Sequence, residues 1–385
     1  MRNFAFLKLV CKNTKKNMQK TNRYTGYLQK TFVLLIMLAC VFPCANAGKN
    51  SRNKRPKNVI YIIGDGMGTS HVYSSIVVQK GRSQFLRFPY TGFSRTYSAN
   101  NYTTDSGAGG TALMTMHKVD NRHIGMSSDG KAYCSMLERA TKKNKQVGFV
   151  VTSSVLDATP ASTYAHVTDR HMFDTISMQM AKAPFTVMIG GDRNHFMTEN
   201  RNDGKSPLDT LADRGYSLAF SLDAMDAVKK GPLCALVTDD NPASAEFRND
   251  MLCRGVKKAI DILKKSKNGF FLVIEGSQID WACHDNDFKH LKAEMIDFEN
   301  MLEIVLNWAA KDKNTLVVVT ADHETGGLSL PNGDLDRGKN EYNFSTSNHT
   351  GVMVPVFAYG PSAQKFTGIH QNIDLPDIIW NAVFK

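Results

Sequence analysis

The stretch Asn58-Val-Ile-Tyr-Ile-Ile63, followed at once by Gly64-Asp-Gly-Met-Gly68, is an uncharged apolar run that stops at a glycine-rich segment. This combination predicts a buried β-strand that ends in a tight turn. Helical periodicity occurs at 249–265 and 290–310, between further apolar runs at 147–152, 186–189, 235–237, 269–274, 315–320 and 352–358. The alternation predicts an α/β fold, a three-layer α/β/α sandwich around a mostly parallel central sheet.

Acidic and imidazole side chains follow the ends of several of these predicted strands. They are Asp65, Glu275, Asp280, Asp322 and His323. Functional groups of parallel sheets collect beyond the carboxyl ends of the strands, so we expect these side chains to lie close together. Carboxylates gathered in this way repel one another unless cations are present, and the pattern therefore predicts bound metal.

Two further histidines are candidate ligands, although the residues alone leave their roles open. If a helix begins at Asp280, His284 lies one turn further on the same face, which suits a two-residue zinc clamp. The same spacing also fits a capping Asp beside an exposed His. His349 precedes the last predicted strand and, taken by itself, is equally compatible with a structural role.

A serine in a small-residue segment is the candidate nucleophile. In Thr103-Thr-Asp-Ser-Gly-Ala-Gly-Gly-Thr-Ala112 the residues after Ser106 would place its hydroxyl at a helix N-terminus, where backbone N–H groups favour an anion. A plain Ser/Gly loop fits the same letters. The glycines at 64–68 do not satisfy GxGxxG, which disfavours a dinucleotide site.

The formal net charge of +11 is concentrated near the N-terminus. Residues 1–47 contain eight Lys or Arg and no acidic residue, and residues 48–57 contain five more cations. The remaining 34 cations are outnumbered by 36 acidic residues, so the chain from Asn58 onward has a charge of −2. A nucleic-acid-binding patch is therefore not supported.

The apolar run at 32–42 predicts a secretory signal. It has about eleven residues, too few for the roughly 20 of a membrane helix, and it precedes Ala45-Asn-Ala47. We predict a signal peptide at 1–47, a basic linker at 48–57 and one domain at 58–385. The exported chain would be periplasmic or extracellular without a membrane span. A retained anchor, a start at Met18 and acylation at Cys40 stay open, the last ranked below cleavage.

Four cysteines remain after the predicted cleavage, namely Cys134, Cys234, Cys253 and Cys283. An oxidising compartment permits one or two disulfides, and four cysteines can pair in three ways. The spacings match no CxxC zinc pattern, so we assign neither disulfides nor cysteine ligands.

In order and content the motifs resemble those of alkaline phosphatases over nearly the whole chain after the leader. The matching motifs are Ile63-Gly-Asp-Gly-Met-Gly68, Thr104-Asp-Ser-Gly-Ala-Gly-Gly-Thr111, Asp157-Ala-Thr-Pro-Ala161 followed by Ala165-His-Val-Thr-Asp-Arg170, Val273-Ile-Glu-Gly-Ser-Gln-Ile-Asp280 with His284, Thr320-Ala-Asp-His-Glu-Thr325 and His349-Thr-Gly351. Six motifs in the order of the family are far more specific than any one alone. The resemblance implies a metal-dependent hydrolase of small phosphate monoesters.

The resemblance also implies a role for each matching residue. Ser106 would form a phosphoserine, and Arg170 would hold two phosphate oxygens with its planar guanidinium. Two zinc ions and one magnesium ion are implied. The zinc ligands would be Asp280, His284 and His349 in one site and Asp65, Asp322, His323 and Ser106 in the other. The magnesium ligands would be Asp65, Thr159 and Glu275, with Asp157 contacting the ion through a water.

The sequence departs from the family motifs at one position next to a candidate ligand, and other functions are compatible with the same superfamily. Trp281 stands where the best-studied relatives have Lys or His, which implies weaker phosphate affinity. Dimerisation is usual in the family, and a homodimer stays open. The rivals are a phosphodiesterase or sulfatase of the same superfamily and an exported phosphate- or metal-binding protein without turnover. Ser106 lacks the C/S-x-P-x-R signature of sulfatases, and Arg170 favours monoesters.

Overall fold

The first predicted strand lies near the middle of a ten-stranded sheet in the computed structural model, which describes residues 55–385. The strands are β1 Asn58–Gly64, β2 Tyr90–Arg95, β3 Gln146–Ser154, β4 Val187–Gly191, β5 Ser217–Ala219, β6 Leu233–Leu236, β7 Phe270–Gly276, β8 Thr315–Thr320, β9 Glu324–Thr325, β10 Ser329–Asp334, β11 Lys339–Asn343, β12 His349–Thr350, β13 Val354–Tyr359 and β14 Gly368–Gln371.

The order of strands in the large sheet is β14-β2-β13-β8-β1-β7-β3-β4-β6-β5. The strand β13 runs antiparallel to its neighbours β2 and β8, and the other pairings in this sheet are parallel. The predicted mostly parallel sheet is thus confirmed. Two small antiparallel pairs, β10 with β11 and β9 with β12, lie outside it.

Helices connect most of the strands. They are α1 Thr69–Val78, α2 Ser106–Thr115, α3 Met136–Lys142, α4 Ala158–Ala161, α5 Phe173–Lys182, α6 Pro207–Asp213, α7 Leu222–Ala227, α8 Met251–Leu263, α9 Gln278–His284, α10 Phe288–Asp312 and α11 Asp374–Phe384. Short 3₁₀ helices occur at Gln84–Arg87, Asn194–Phe196, Thr198–Asn200 and Ala363–Phe366.

The strand β1 shows why both faces of the sheet are covered. Its alternating side chains enter two separate hydrophobic cores, Tyr61 and Ile63 on one face and Ile60 and Ile62 on the other. All four are fully buried, and each of the three isoleucines contributes about 1.5–3 kcal/mol by leaving water. The helices α2, α3, α5 and α11 pack in the first core, while α1, α8 and α10 pack in the second. The three-layer α/β/α sandwich is confirmed.

The register of the central strands determines where the polar residues come together. Ile63 of β1 pairs with Glu275 of β7 on one side and with Thr320 of β8 on the other. Because the three strands are parallel and end at the same level, Asp65 and Asp322 follow them at one edge of the sheet. This edge carries the candidate site.

The apolar runs located the inner strands, whose observed bounds differ by a few residues from the predicted ones. The predicted helices at 249–265 and 290–310 correspond to α8 and α10. Sequence analysis missed β2, β5, β14 and the small antiparallel pairs. In β2 the burial alternates between buried and exposed positions, and β5 has only three residues.

Several predictions concern the N-terminal region, which lies outside the described residues. These are the signal peptide, acylation at Cys40 and the linker up to residue 54. The four cysteines of the described part, Cys134, Cys234, Cys253 and Cys283, are unpaired thiols. Among the helices of residues 55–385, none combines the length and the apolar character that a membrane span requires.

Candidate active site

Ser106 is the first residue of α2 and is buried at the carboxyl edge of the sheet. The side chain of Asp105 caps this helix by accepting a hydrogen bond of 2.9 Å from the amide of Ala108. A Cβ on Gly109 would lie only 3.1 Å from Cβ of Asp322, so the glycine allows the helix to approach the end of β8 closely. The hydroxyl of Ser106 consequently lies 3.2 Å from Nε2 of His323.

His323 forms a compact buried group with Asp65 and Asp322. Its Nε2 lies 3.4 Å from Oδ1 of Asp65 and 3.2 Å from Oδ2 of Asp322. Each of these oxygens is buried without a hydrogen-bond partner among the described residues. Orphaned buried carboxylate oxygens are costly, so this donor set fits a cation at the point where the three side chains converge.

Burial raises the pKa of Asp65 well above its usual range. The negative charges of Asp322, Asp280, Glu275 and Asp157 raise it further, in that order. Five carboxylates therefore lie close enough to repel one another in a region with little water. A divalent cation would remove this repulsion.

A second compact group consists of Asp280, His284 and His349. Nδ1 of His284 lies 2.7 Å from the carbonyl of Ser347, and Nδ1 of His349 lies 2.9 Å from the carbonyl of Thr104. A carbonyl only accepts, so each Nδ1 carries a proton and donates it. The two Nε2 atoms, 3.1 Å apart, face each other and Asp280. Carbonyls that orient histidines in this way are typical of metal ligands.

The pKa values of the two histidines in this second group are shifted in opposite directions. Burial lowers the pKa of His349 to about 4, so its Nε2 has a free lone pair at neutral pH. The hydrogen bond to Asp280 raises the pKa of His284 to about 9. Without a cation, Nε2 of His284 therefore holds a proton that it donates to Oδ2 of Asp280, 3.2 Å away. A metal ion can replace that proton, and two imidazoles with one carboxylate are a common zinc donor set.

Thr325 and Gly66 join the two groups. The Thr325 hydroxyl contacts Oδ1 of Asp280 and lies 3.2 Å from Nδ1 of His323. Gly66 has a positive φ of +70°, and a Cβ there would lie 2.9 Å from Cα of Asp280. The imidazole rings of His323 and His349 stack with centroids 3.5 Å apart. Only a residue without a side chain fits in the turn between the groups.

Glu275, Thr159 and Asp157 flank Asp65. The pKa of Glu275 is raised to about 8, mainly by burial and also by the neighbouring charge of Asp157, while the hydroxyls of Ser277 and Thr159 act in the opposite direction. Asp157 also caps α4 through the amide of Ala158 at 3.2 Å. An all-oxygen set of this kind suits a hard cation such as magnesium.

Arg170 is held between two carboxylates. One guanidinium nitrogen lies 3.5 Å from Asp105, and the other lies 3.4 Å from Asp157. Burial lowers the pKa of Arg170, but the charges of Asp157, Asp105 and Asp65 more than compensate and raise it. The guanidinium therefore stays charged and lies beside Asp105, the residue that precedes Ser106. Trp281 supplies no further cation at its position.

The structure thus brings every predicted site residue to one edge of the sheet, in two compact groups and their flanks. The contributions of Asp105, Thr325 and the carbonyls of Thr104 and Ser347 were not predicted from the sequence. Asp105 could have been found from its position as the capping residue of a helix that begins at Ser106. The two carbonyls carry no sequence signal, since any residue can supply them.

The chain is similar in sequence to known alkaline phosphatases. The family model for alkaline phosphatases matches residues 56–336. Alkaline phosphatase 4 of Bacillus subtilis is 31% identical over 84% of this chain and 88% of its own length. The alkaline phosphatase of Escherichia coli is 30% identical over 84% of this chain and 85% of its own length.

Solved structures agree with this result. The alkaline phosphatase of the Antarctic bacterium TAB5 superimposes with a TM-score of 0.80 at 34% sequence identity, covering 86% of this chain and 99% of its own. A variant of the TAB5 enzyme has been solved with Mg bound in a site named M3. On the family match, the relatives and the shared fold, this chain belongs to the alkaline phosphatase family and is a phosphatase of phosphate monoesters.

Proposed function

We propose that the chain hydrolyses phosphate monoesters through a phosphoserine on Ser106, with two zinc ions and one magnesium ion bound at the carboxyl edge of the sheet. The observation that carries the proposal is the convergence of Ser106, Arg170 and two groups of candidate metal ligands on one small region, one of which has two buried oxygens without a hydrogen-bond partner among the described residues. Asp280, His284 and His349 would hold one zinc ion. Asp65, Asp322 and His323 would hold the other beside Ser106.

The third ion would be magnesium, held by Asp65, Thr159 and Glu275 with Asp157 nearby. The Mg bound in the M3 site of the TAB5 variant supports a magnesium site in this fold. When bound, the three cations neutralise the charge of the phosphoryl group and lower the pKa of a hydroxyl or water beside them. The remaining chemistry belongs to the residues of the chain.

Two steps account for the reaction. In the first step, Oγ of Ser106 forms a bond to phosphorus, the ester P–O bond breaks, and the leaving oxygen departs with a proton as the alcohol. In the second step, water attacks phosphorus, the bond between Oγ of Ser106 and phosphorus breaks, and inorganic phosphate is released while one proton of the water passes to Oγ. The amides at the N-terminus of α2 and the guanidinium of Arg170 stabilise the negative oxygens in both steps.

The experiment is to trap the phosphoenzyme. The wild-type chain and the Ser106→Ala variant are mixed with a chromogenic aryl phosphate, quenched in acid and mapped by mass spectrometry. We expect phosphate on the peptide that contains Ser106 in the wild type and no phosphate in the variant. Ser128→Ala is the control, because Ser128 is exposed and outside the site. Phosphate on Ser106→Ala, or unchanged turnover by it, would contradict the proposal.

We also propose that the chain is exported, with cleavage before Gly48. The basis is the predicted leader at 1–47 with its short apolar run and the small residues Ala45 and Ala47. N-terminal sequencing of the protein recovered outside the cytoplasm tests the cleavage position. A mature chain that keeps residues 32–42 would contradict it.

A further inference from the structure

A cluster of three buried side chains and one half-buried side chain adjoins the segments that carry the candidate metal ligands. It consists of His71, Cys283, Glu324 and Thr350, which we call the His71 cluster. Cys283 precedes His284, Glu324 follows His323, and Thr350 follows His349. His71 is in the first turn of α1, just after the turn that contains Asp65. Three of the four residues are thus sequence neighbours of candidate ligands.

Direct contacts link the members of the cluster. Nε2 of His71 lies 3.1 Å from Sγ of Cys283 and 4.0 Å from Oε1 of Glu324. The hydroxyl of Thr350 donates to Oε2 of Glu324, and Oε1 accepts from the amide of Leu328 at 3.3 Å. His71 is completely buried. The cluster therefore connects segments that carry ligands of both compact donor groups, although none of its four residues is itself a candidate ligand.

The tautomer of His71 follows from its surroundings. The amide of Gly68 donates to Nδ1 at 2.9 Å, so Nδ1 has no proton. Burial lowers the pKa of His71 to about 4, and the ring is neutral at physiological pH. The single ring proton is therefore on Nε2 and points at Cys283. His71 thus ties the turn at Gly68 to α9 through one hydrogen bond on each side of the ring.

The helix α9 has only seven residues and carries both Asp280 and His284. A helix this short derives little stability from its own hydrogen bonds, so its position depends on tertiary contacts. Gly68, whose amide donates to Nδ1 of His71, packs against the side chain of Glu324. A Cβ at Gly68 would collide with that side chain. Movement of α9 is therefore opposed by the segment that carries Asp322 and His323.

We propose that His71 is a positioning residue that holds α9 through the Nε2–H···Sγ hydrogen bond to Cys283 and thereby sets the zinc affinity of the Asp280, His284 and His349 group. The inference rests on the proposed function, because it assumes zinc at that group. Removal of a partner that orients metal ligands typically costs about 10–100-fold in metal affinity. We expect a loss of this size when the hydrogen bond is removed.

Two substitutions at His71 separate the roles of its nitrogens. The amide of Asn reaches the Nδ1 position and keeps the contact with Gly68, whereas the longer amide of Gln reaches the Nε2 position and keeps a donor for Cys283. We expect His71→Asn to weaken zinc binding at one of two sites by about 10–100-fold, and His71→Gln to remain within about threefold of wild type. Chelator competition on metal-free protein measures both.

Two substitutions of Cys283 test the same hydrogen bond from the acceptor. Cys283→Ser keeps an acceptor for Nε2–H of His71, whereas Cys283→Ala removes it. We expect Ala alone to weaken zinc binding, and His71→Asn combined with Cys283→Ala to cost no more than either change alone. Urea unfolding of the metal-free proteins checks that the folds are equally stable. These variants keep the inference testable if His71→Asn does not fold.

The outcomes separate this inference from the proposed function. If the wild type binds two zinc ions and all variants bind them equally tightly, the positioning role is wrong and the proposed function stands. If both His71 variants lose affinity and stability together, His71 is a packing residue and the inference is also wrong. If the wild type binds no zinc at the Asp280 group, the proposed function and the inference are both contradicted.

Discussion

Oγ of Ser106 lies 3.2 Å from Nε2 of His323, although 217 residues separate them in the chain. In many serine hydrolases such a contact makes the imidazole a general base. Here Asp65 and Asp322 approach the same nitrogen to 3.4 and 3.2 Å, and neither facing oxygen has a hydrogen-bond partner among the described residues. This environment favours His323 as a metal ligand.

Replacement of His323 tests this assignment. We expect His323→Ala to bind one zinc ion fewer than the wild type and to lose most of its phosphatase activity, because one of three donors is gone. Metal analysis after dialysis against zinc gives the stoichiometry. His370→Ala is the control, since the half-buried His370 lies outside both donor groups and its side chain bonds, among the described residues, only to the carbonyl of Thr367. Unchanged zinc content with lost activity would instead indicate a general base.

A methyl group at Gly66 is expected to disturb both donor groups. The added Cβ would lie 2.8 Å from the hydroxyl of Thr325 and 2.9 Å from Asp280. We expect Gly66→Ala to lower zinc affinity by about tenfold or more, beyond the conformational cost of about 1–2 kcal/mol for a positive φ. Zinc titration and urea unfolding measure the two effects separately.

Gly130→Ala is the matched control for this substitution. Gly130 has a φ of +84°, close to that of Gly66, and a Cβ there meets no atom within 4 Å. Both variants carry the conformational cost, and only Gly66→Ala should weaken zinc binding. Equal zinc affinities in the two variants would contradict the close packing at the site.

Zinc binding at the Asp280 group is expected to depend on pH. The pKa of His284 is raised to about 9 by the hydrogen bond to Asp280, so below pH 9 zinc must displace a proton. Burial lowers the pKa of His349 to about 4, and this ring holds no competing proton above pH 6. Affinity for free zinc should therefore rise about tenfold per pH unit from pH 7 to 9 and then level off.

Chelator competition at pH 7, 8 and 9 measures this dependence. Calorimetry in buffers of different ionisation enthalpy gives the number of protons released, which we expect to be about one at pH 7.5 for this site. An affinity that is flat over this range, or that falls as the pH rises, would be inconsistent with a protonated His284 in the metal-free chain.

Disruption of a buried ion network away from the site is expected to destabilise the protein. One Arg248 nitrogen lies 2.5 Å from Glu294 and 2.6 Å from Asp297, and the side chains of Arg248 and Glu294 are only 3% and 1% exposed. Removal of one partner from a buried pair leaves an uncompensated charge. We expect Arg248→Ala to lower the free energy of unfolding by about 3–5 kcal/mol.

Arg254→Ala is the comparison for this network. Arg254 pairs with Asp223 and Asp226, whose side chains are 94% and 44% exposed. Water screens these pairs, so we expect a loss of about 0–1 kcal/mol. Urea denaturation of both variants in the same buffer gives the difference. A smaller loss for Arg248 than for Arg254 would mean that burial does not control the strength of these pairs.

The inner strands could be predicted because fully buried parallel strands are apolar on both faces, as β1 and β8 are. Strand ends followed by acidic residues also indicated which edge carries the site. The strand β2 alternates between buried and exposed residues and lies towards the edge of the sheet, and the exposed pair of β10 and β11 is polar. Neither of these sequence patterns can be distinguished from the pattern of a loop.

The site was predictable only in part from the residues themselves. Asp65 and Asp322 follow directly from their strands, whereas His284 and His349 are indistinguishable from structural histidines until the chain brings them together. The carbonyls that fix their tautomers belong to Ser347 and Thr104, which carry no pattern. His71 was given no functional role from the sequence, because its contact with Cys283 joins residues that are 212 positions apart. Such contacts are products of the fold.

The central claim is that distant segments converge on cations, and anomalous diffraction at the zinc absorption edge tests it most directly. Crystals of the wild-type chain grown with zinc and magnesium should show two anomalous peaks. One should contact Asp280, His284 and His349, and the other should contact Asp65, Asp322 and His323 beside Ser106. Crystals without a peak at either group, or with zinc bound only elsewhere, would contradict the account.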